Sequence, residues 1–193
     1  MKLNAKQLRV TPPSRGQLAK IPRKPLYIVL DNVMDTYNIG SIFRLADAIA
    51  AQEIILCGGS ETPPSSRIHK AAVGTEEWVK WRYFASASEA LSSLKSQILN
   101  LKVIAIEQDS RAISLQQMTT NDYSMTMNDT AIAVVVGHET EGVSQEALDL
   151  ADVIVEIPMF GVNKSLNVVV STGIVLYNML RLINNNNNYG LEE

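Results

Sequence analysis

Apolar residues in this chain come in short, nearly unbroken runs separated by longer stretches of mixed character. LYIVLD at 26–31, EIILC at 53–57, WVKWRYF at 78–84, KVIAIE at 102–107, AIAVVV at 131–136 and VIVEI at 153–157 read as strands, most of them buried on both faces. Between them the spacing becomes helical. Residues 39–51 place Ile42, Leu45, Ala46 and Ile49 on one side, 68–73 suits a short helix, and 88–100 has Ser88 as N-cap with Leu91, Leu94 and Ile98 inward. A short helix is predicted at 145–150 and a long one at 165–183. Val168, Val169 and Val170 would equally suit a strand, but Leu166, Val170, Gly173, Ile174, Tyr177 and Leu180 keep a helical stripe well beyond strand length. Strands separated by helices predict an α/β fold, a mostly parallel sheet flanked by helices. Ligands of such sheets bind beyond the carboxyl ends of strands, which directs attention to the segments after Asp31, Val136 and Ile157.

Composition narrows the classes. With 193 residues, 46% of them hydrophobic, the chain can build one ordinary core, which excludes wholesale disorder. Cys57 is the only cysteine, so neither a disulfide framework nor a multi-thiolate zinc site is expected, and two histidines, His69 and His138, argue against a His-rich site. No metal is expected. Neither a membrane span nor a secretory signal is visible, and the expected location is cytoplasmic. The net charge of −3 hides an asymmetry: residues 1–25 carry Lys2, Lys6, Arg9, Arg15, Lys20, Arg23 and Lys24 and no acid, leaving 10 basic and 20 acidic residues in the remainder. A basic arm of this kind suits contact with phosphates or a solvated terminus. Pro12, Pro13, Pro22 and Pro25 make it irregular, and five consecutive asparagines begin a low-complexity tail at 184–193.

Three segments can carry chemistry. The first is Asn38-Ile39-Gly40-Ser41-Ile42-Phe43-Arg44. Asn38 suits a helix cap, and Arg44, beside Leu45 and Ala46, suits either an ion pair with Asp31, Asp35 or Asp47 or a guanidinium fork held for a phosphate. The second is Gly137-His138-Glu139-Thr140-Glu141-Gly142, where a glycine permits close approach to the backbone and Glu139 stands at the mouth of the sheet or as an acid near a helix start. The third runs from Ile157-Pro158-Met159 through Gly161 to Ser165-Leu166-Asn167, with Ser165 and Asn167 as capping residues or site groups. No dinucleotide or phosphate-loop glycine fingerprint is present, nor a G-x-S-x-G elbow.

Taken in order, N-x-G-x-x-x-R, G-x-E-x-x-G and I-P-M-x-G-x-x-x-S-L-N resemble the SpoU (TrmH-type) family of RNA 2′-O-ribose methyltransferases in the SPOUT superfamily, over about residues 26–183. The resemblance implies a C-terminal deep trefoil knot, a homodimer with its active site near the interface, S-adenosyl-L-methionine as cofactor and RNA, tRNA rather than rRNA, as substrate. It implies that Gly137, Ile157 and Leu166 meet the cofactor with Met159 close by, and that Asn38, Arg44, Glu139, Ser165 and Asn167 are the polar site residues. Arg44 is the base proposed for this family, but guanidinium resists deprotonation. Arg44 is therefore expected to bind a substrate phosphate, with the base a different, neutral group. Asn38 would orient Arg44 or Glu139, and Ser165 with Asn167 would shape the ribose and methionine end.

The resemblance also has departures. Ala50 follows Ile49 where glycine is frequent, and an ordinary backbone is expected there. Val169 replaces a small polar residue, which predicts a packing change. No counterpart of the N-terminal RNA-binding domain of many ribosomal-RNA members is visible, so the basic arm is expected to substitute for it. The segment 70–79 slightly resembles tRNA guanosine members, and Lys70, Lys80 and Arg82 extend a basic surface or a solvated face. Two alternatives remain: an RNA-binding protein of this fold without turnover, and a methyltransferase with a non-RNA substrate.

Overall fold

The computed structural model describes residues 12–118 and 130–185. A single helical turn, Arg15–Leu18, leads into β1 (Lys24–Asp31). There follow α1 (Thr36–Ala48), β2 (Ala51–Cys57), α2 (Ser66–Ala72), a 3₁₀ turn at Thr75–Glu77, β3 (Trp81–Phe84), α3 (Ala87–Gln97) and β4 (Leu101–Ile106). The second half comprises β5 (Ile113–Ser114), β6 (Ala131–Gly137), α4 (Gln145–Leu150), β7 (Val153–Glu156) and α5 (Val168–Asn185). The seven strands form one sheet in the order β3-β2-β1-β6-β4-β7-β5, and every neighbouring pair is parallel.

Strand alternation divides the core between two faces. Leu26, Ile28 and Leu30 of β1, with Ile54, Leu56, Ile132 and Val134, pack under α1, α2 and α5 through Phe43, Ile68, Val175 and Leu176. Val29, Ile55, Val103, Ala133 and Val135 face the other way, under α3 and α4 through Leu91, Leu94, Ala147 and Leu148. Each fully buried Val, Leu, Ile or Phe side chain among these contributes about 1.5–3 kcal/mol by its transfer from water.

Several expected boundaries shift for identifiable reasons. α1 starts earlier because Asp35 caps it, accepting from the Tyr37 amide at 2.8 Å, so Asn38 lies inside the helix and is not its cap. It stops at Ala48, because Ala50 is left-handed (φ 52°) and Ala51 already opens β2. The ordinary backbone expected at Ala50 is thus not what the chain adopts. Ser86 rather than Ser88 caps α3. α5 starts at Val168, capped by Asn167 through the Val169 amide at 2.9 Å, which leaves Ser165 in the preceding loop. Val169 packs against the core, as its apolar side chain predicts. The 3₁₀ turn shortens β3, and the two-residue strand β5 has too little sequence to give a period. The irregular arm expected through residue 25 ends sooner, since β1 includes Lys24 and Pro25; Asn184 and Asn185 belong to α5. Residues 1–11 of the arm and 186–193 of the tail lie outside the described residues. No described helix is long and apolar enough to cross a membrane.

Candidate functional site

A cavity of about 510 Å³ opens beyond the carboxyl ends of β4, β6 and β7. Gly137, which ends β6, and Ile157, just past β7, line it together with Glu139 from the loop after β6 and Met159, Ser165, Leu166 and Asn167 from the approach to α5. Seven residues singled out by sequence therefore meet at one place. Asn38 is joined to them by hydrogen bonds, described below.

The floor is built by close backbone packing. His138 and Gly142 exchange both amide hydrogen bonds, at 3.0 and 2.9 Å, and a Cβ on Gly137 would stand 2.1 Å from the Gly142 carbonyl carbon. Gly142 has φ 73°, and a Cβ there would stand 2.2 Å from Glu107 Oε2. Glu107 accepts from the Val143 amide at 2.9 Å and so braces the same turn. Glu107, Gln108 and Glu156 also line the cavity and were missed from the sequence. They carry no motif; only their position just past β4 or at the end of β7 could have marked them.

A polar chain ties three elements together above this floor. The Glu139 carboxylate accepts from the Met34 amide at 3.1 Å, the Asp35 amide at 3.0 Å and Asn38 Nδ2 at 2.9 Å. Asn38 Oδ1 accepts from Asn167 Nδ2 at 3.1 Å, and Asn167 Oδ1 accepts from the Val169 amide at 2.9 Å. Burial acts to raise the Glu139 pKa, but the donors from Asn38, Asp35 and Met34 outweigh it, and the carboxyl lies below its ordinary value. His138 acts locally, its Nδ1 accepting from the Thr140 amide at 3.1 Å.

Arg44 is not part of this assembly within one chain. It is exposed, does not line the cavity, and has no hydrogen bond or ion pair among the described residues. Its three expected partners are engaged elsewhere. Asp31 is buried and accepts from the Ser144 amide and hydroxyl at 2.8 and 2.6 Å, Asp47 accepts from Trp78 Nε1 at 2.7 Å, and Asp35 caps α1. Lys80 and Arg82 do not form a free basic surface: Arg82 grips the buried carboxylate of Glu53 at 3.0 and 2.7 Å, and Lys80 approaches it at 3.3 Å.

The profile of the SpoU rRNA Methylase family matches residues 25–177, which span the sheet, the cavity and most of α5. The chain belongs to this family. This SpoU-family protein is 30% identical over 163 residues to the tRNA (guanosine(18)-2′-O)-methyltransferase of Escherichia coli K12, covering 82% of the chain and 65% of that enzyme's length. It is 31% identical over 178 residues to the 23S rRNA (guanosine-2′-O-)-methyltransferase RlmB of Burkholderia sp, covering 90% of the chain and 68% of that enzyme. The AdoMet-bound rRNA methyltransferase from Sinorhizobium meliloti has the same fold, with a TM-score of 0.70 at 26% identity, over 85% of this chain and 59% of that one. The SPOUT fold that the motifs imply is the fold this SpoU-family chain adopts, a parallel sheet flanked by helices.

Proposed function

We propose that the chain transfers a methyl group from S-adenosyl-L-methionine to a ribose 2′-hydroxyl of structured RNA, tRNA in preference to rRNA, in the cytoplasm. The observation that carries this reading is the meeting of the Asn38–Glu139–Asn167 chain with the cavity beyond β4, β6 and β7. The residues present fit the cofactor. A volume of about 510 Å³ lies in the range of small-molecule sites. Glu107, Glu139 and Glu156 line it against a single ammonium, Lys164, which suits a ligand bearing a sulfonium and an amino group. Gly137, Ile157 and Leu166 would hold it, with Met159 beside them. When bound, the cofactor supplies a methyl group on a sulfonium that leaves as a neutral thioether.

The work left to the protein is alignment and removal of the hydroxyl proton. Fixed orientation of two reactants is worth up to roughly 7–11 kcal/mol. Glu139, Asn38 and Asn167 supply a rigid frame for it, because each is held by partners on another element. Ser165 stands on the cavity wall as a donor for the ribose or methionine end. Arg44 binds the substrate phosphate from a second protomer. Support for that comes from α1, where Arg44 lies one heptad from exposed Tyr37, and from α5, which packs beside α1 and exposes Val170, Ile174 and Tyr177. The knot belongs to the same proposal. Its support is that β7 lies between β4 and β5, while the loop before α5 returns over β4, where Gln108 donates to the Lys164 carbonyl.

The test is transfer of tritiated methyl from S-adenosyl-L-methionine into total tRNA and rRNA, followed by nuclease digestion. Label in 2′-O-methylnucleosides, greater for tRNA, is the expected result. RNA binding without label would establish the non-catalytic alternative, and label outside RNA would overturn the substrate.

A further inference from the structure

A second concavity, of about 560 Å³, lies where the start of α2 meets the 3₁₀ turn at Thr75–Glu77 and Trp81 of β3. It shares no lining residue with the cavity over β4, β6 and β7. α2 carries His69 there. After it, Val73 (φ 57°) and Gly74 (φ 91°) are both left-handed and reverse the chain, so that Glu76 and Glu77 come back beside His69. One imidazole nitrogen and one oxygen from each carboxylate all lie within 4.8 Å of one another.

Glu76 makes the cluster more than a chance grouping of surface charges. Its side chain is only 7% exposed. Oε1 meets His69 Nδ1 at 2.5 Å, whereas Oε2 is buried with no hydrogen-bond partner among the described residues. A buried carboxylate oxygen left bare is expensive, and native proteins nearly always satisfy such atoms with protein, water or an ion. His69 has one nitrogen directed at Glu76 and cannot serve both oxygens. Glu77 and His69 are themselves exposed, His69 by 58%, so an ion has a path in from solvent.

We infer that His69, Glu76 and Glu77 bind one divalent transition-metal ion of the zinc class, with its remaining positions taken by water. One imidazole and two carboxylates form a mixed nitrogen and oxygen set, which zinc accepts at bond lengths of about 2.0–2.2 Å. Magnesium and calcium favour all-oxygen shells. Tetrahedral bonds of that length set neighbouring donor atoms about 3.3 Å apart. The 2.5 Å contact between His69 and Glu76 must therefore open slightly, which the exposed imidazole can do by a small rotation. The ion separates His69 Nδ1 from Glu76 Oε1, takes both Glu76 oxygens so that Oε2 gains the partner it lacks, and ties α2 to the turn that leads into β3. Its role is stabilising, since an ion bound only by the folded chain shifts the folding equilibrium by mass action. The single cysteine and the two scattered histidines hid this site in the sequence, because the reversal at Val73 and Gly74 is what assembles it.

The test uses the untagged full chain, stripped with a chelator. It is titrated with zinc chloride by calorimetry and with cobalt chloride by visible absorption. One ion per chain is expected, with the intense ligand-field bands of a low-coordinate cobalt site and a raised Tm. His69→Gln and Glu77→Gln change exposed positions and should fold; each is expected to weaken affinity roughly 10-fold or more. Binding of S-adenosyl-L-methionine should be unaffected in both. No stoichiometric uptake would overturn the site. So would uptake that both variants retain, which would place the ion on other groups such as His138.

Discussion

At the scale of single residues, the Asn38–Asn167 chain has a direction that its ends dictate. A carboxylate only accepts and a backbone amide only donates. With Glu139 at one end and the Val169 amide at the other, each asparagine has just one orientation that satisfies both neighbours. Because donors hold the Glu139 pKa below its ordinary value, this group stabilises the fold above its unfolded pKa of about 4.3. That contribution is lost as pH falls through the lower, folded value. Asn38→Ala removes a donor, so the folded Glu139 pKa should move up and the acid limb of the stability curve should flatten. A carbon-detected NMR titration of the glutamate carboxyls checks the shift; an unmoved Glu139 would mean the backbone amides alone set it. Cys57 presents the opposite case. Burial, with Asp31 and Glu89 adding to it, pushes its thiol up to about 12. The native protein should resist a thiol-specific disulfide reagent at pH 8 and react stoichiometrically once unfolded. Rapid native labelling would show that β2 opens readily at its carboxyl end.

At the scale of elements, the helices and strands were legible because each carries its period over enough residues. α4 begins and ends where the sequence places it, and the buried strands differ from expectation by one or two residues. What could not be read was conformation set by a single residue. Ala50 is the clearest instance. It follows the C-cap of α1 in a left-handed conformation, its carbonyl accepts from the Lys24 amide at 2.8 Å, and its own amide returns to Asp47. Topology forces the turn, because β2 must start beside β1 at once, and nothing in alanine announces it. Left-handed backbone costs a non-glycine residue roughly 1–2 kcal/mol, while glycine loses up to about 1 kcal/mol through the unfolded chain. Ala50→Gly should therefore stabilise the protein by about 0.5–1 kcal/mol, seen as a higher midpoint in urea. A neutral or destabilising result would show that the Cβ makes compensating contacts. The α5 stripe identified the helix, as the structure shows, but periodicity alone does not tell which apolar side faces the sheet. Thr172, Val175, Leu176 and Met179 are buried, while Val170, Ile174 and Tyr177 face out.

At the scale of the whole molecule, the proposed homodimer would account for both that outward stripe and the isolation of Arg44. The cavity was legible because Gly137 and Ile157 lie where the chain leaves the sheet, and its polar frame because Asn38, Glu139 and Asn167 each belong to one of three ordered motifs. That Arg44 stands outside the cavity wall was not legible, because it depends on which face of α1 the sheet covers. Ile39, Ile42, Phe43 and Ala46 face the core, so Arg44 faces solvent. A twofold pairing through α1 and α5 would cover Tyr37, Val170, Ile174 and Tyr177 and deliver each Arg44 to the partner's cavity. Ile174→Asp would place a charge in that contact and should give monomers by light scattering, with methyl transfer lost and S-adenosyl-L-methionine binding largely kept. Complementation separates sharing from simple stabilisation. Arg44→Ala and Glu139→Gln should each be inactive alone. A mixed dimer of the two has one site with an intact frame from the first chain and an intact guanidinium from the second. Random re-pairing of equal amounts should then restore about one quarter of wild-type activity, since half the dimers are mixed and each holds one complete site. If Arg44 instead served its own chain, no mixed dimer would contain a complete site, and the re-paired sample would stay inactive.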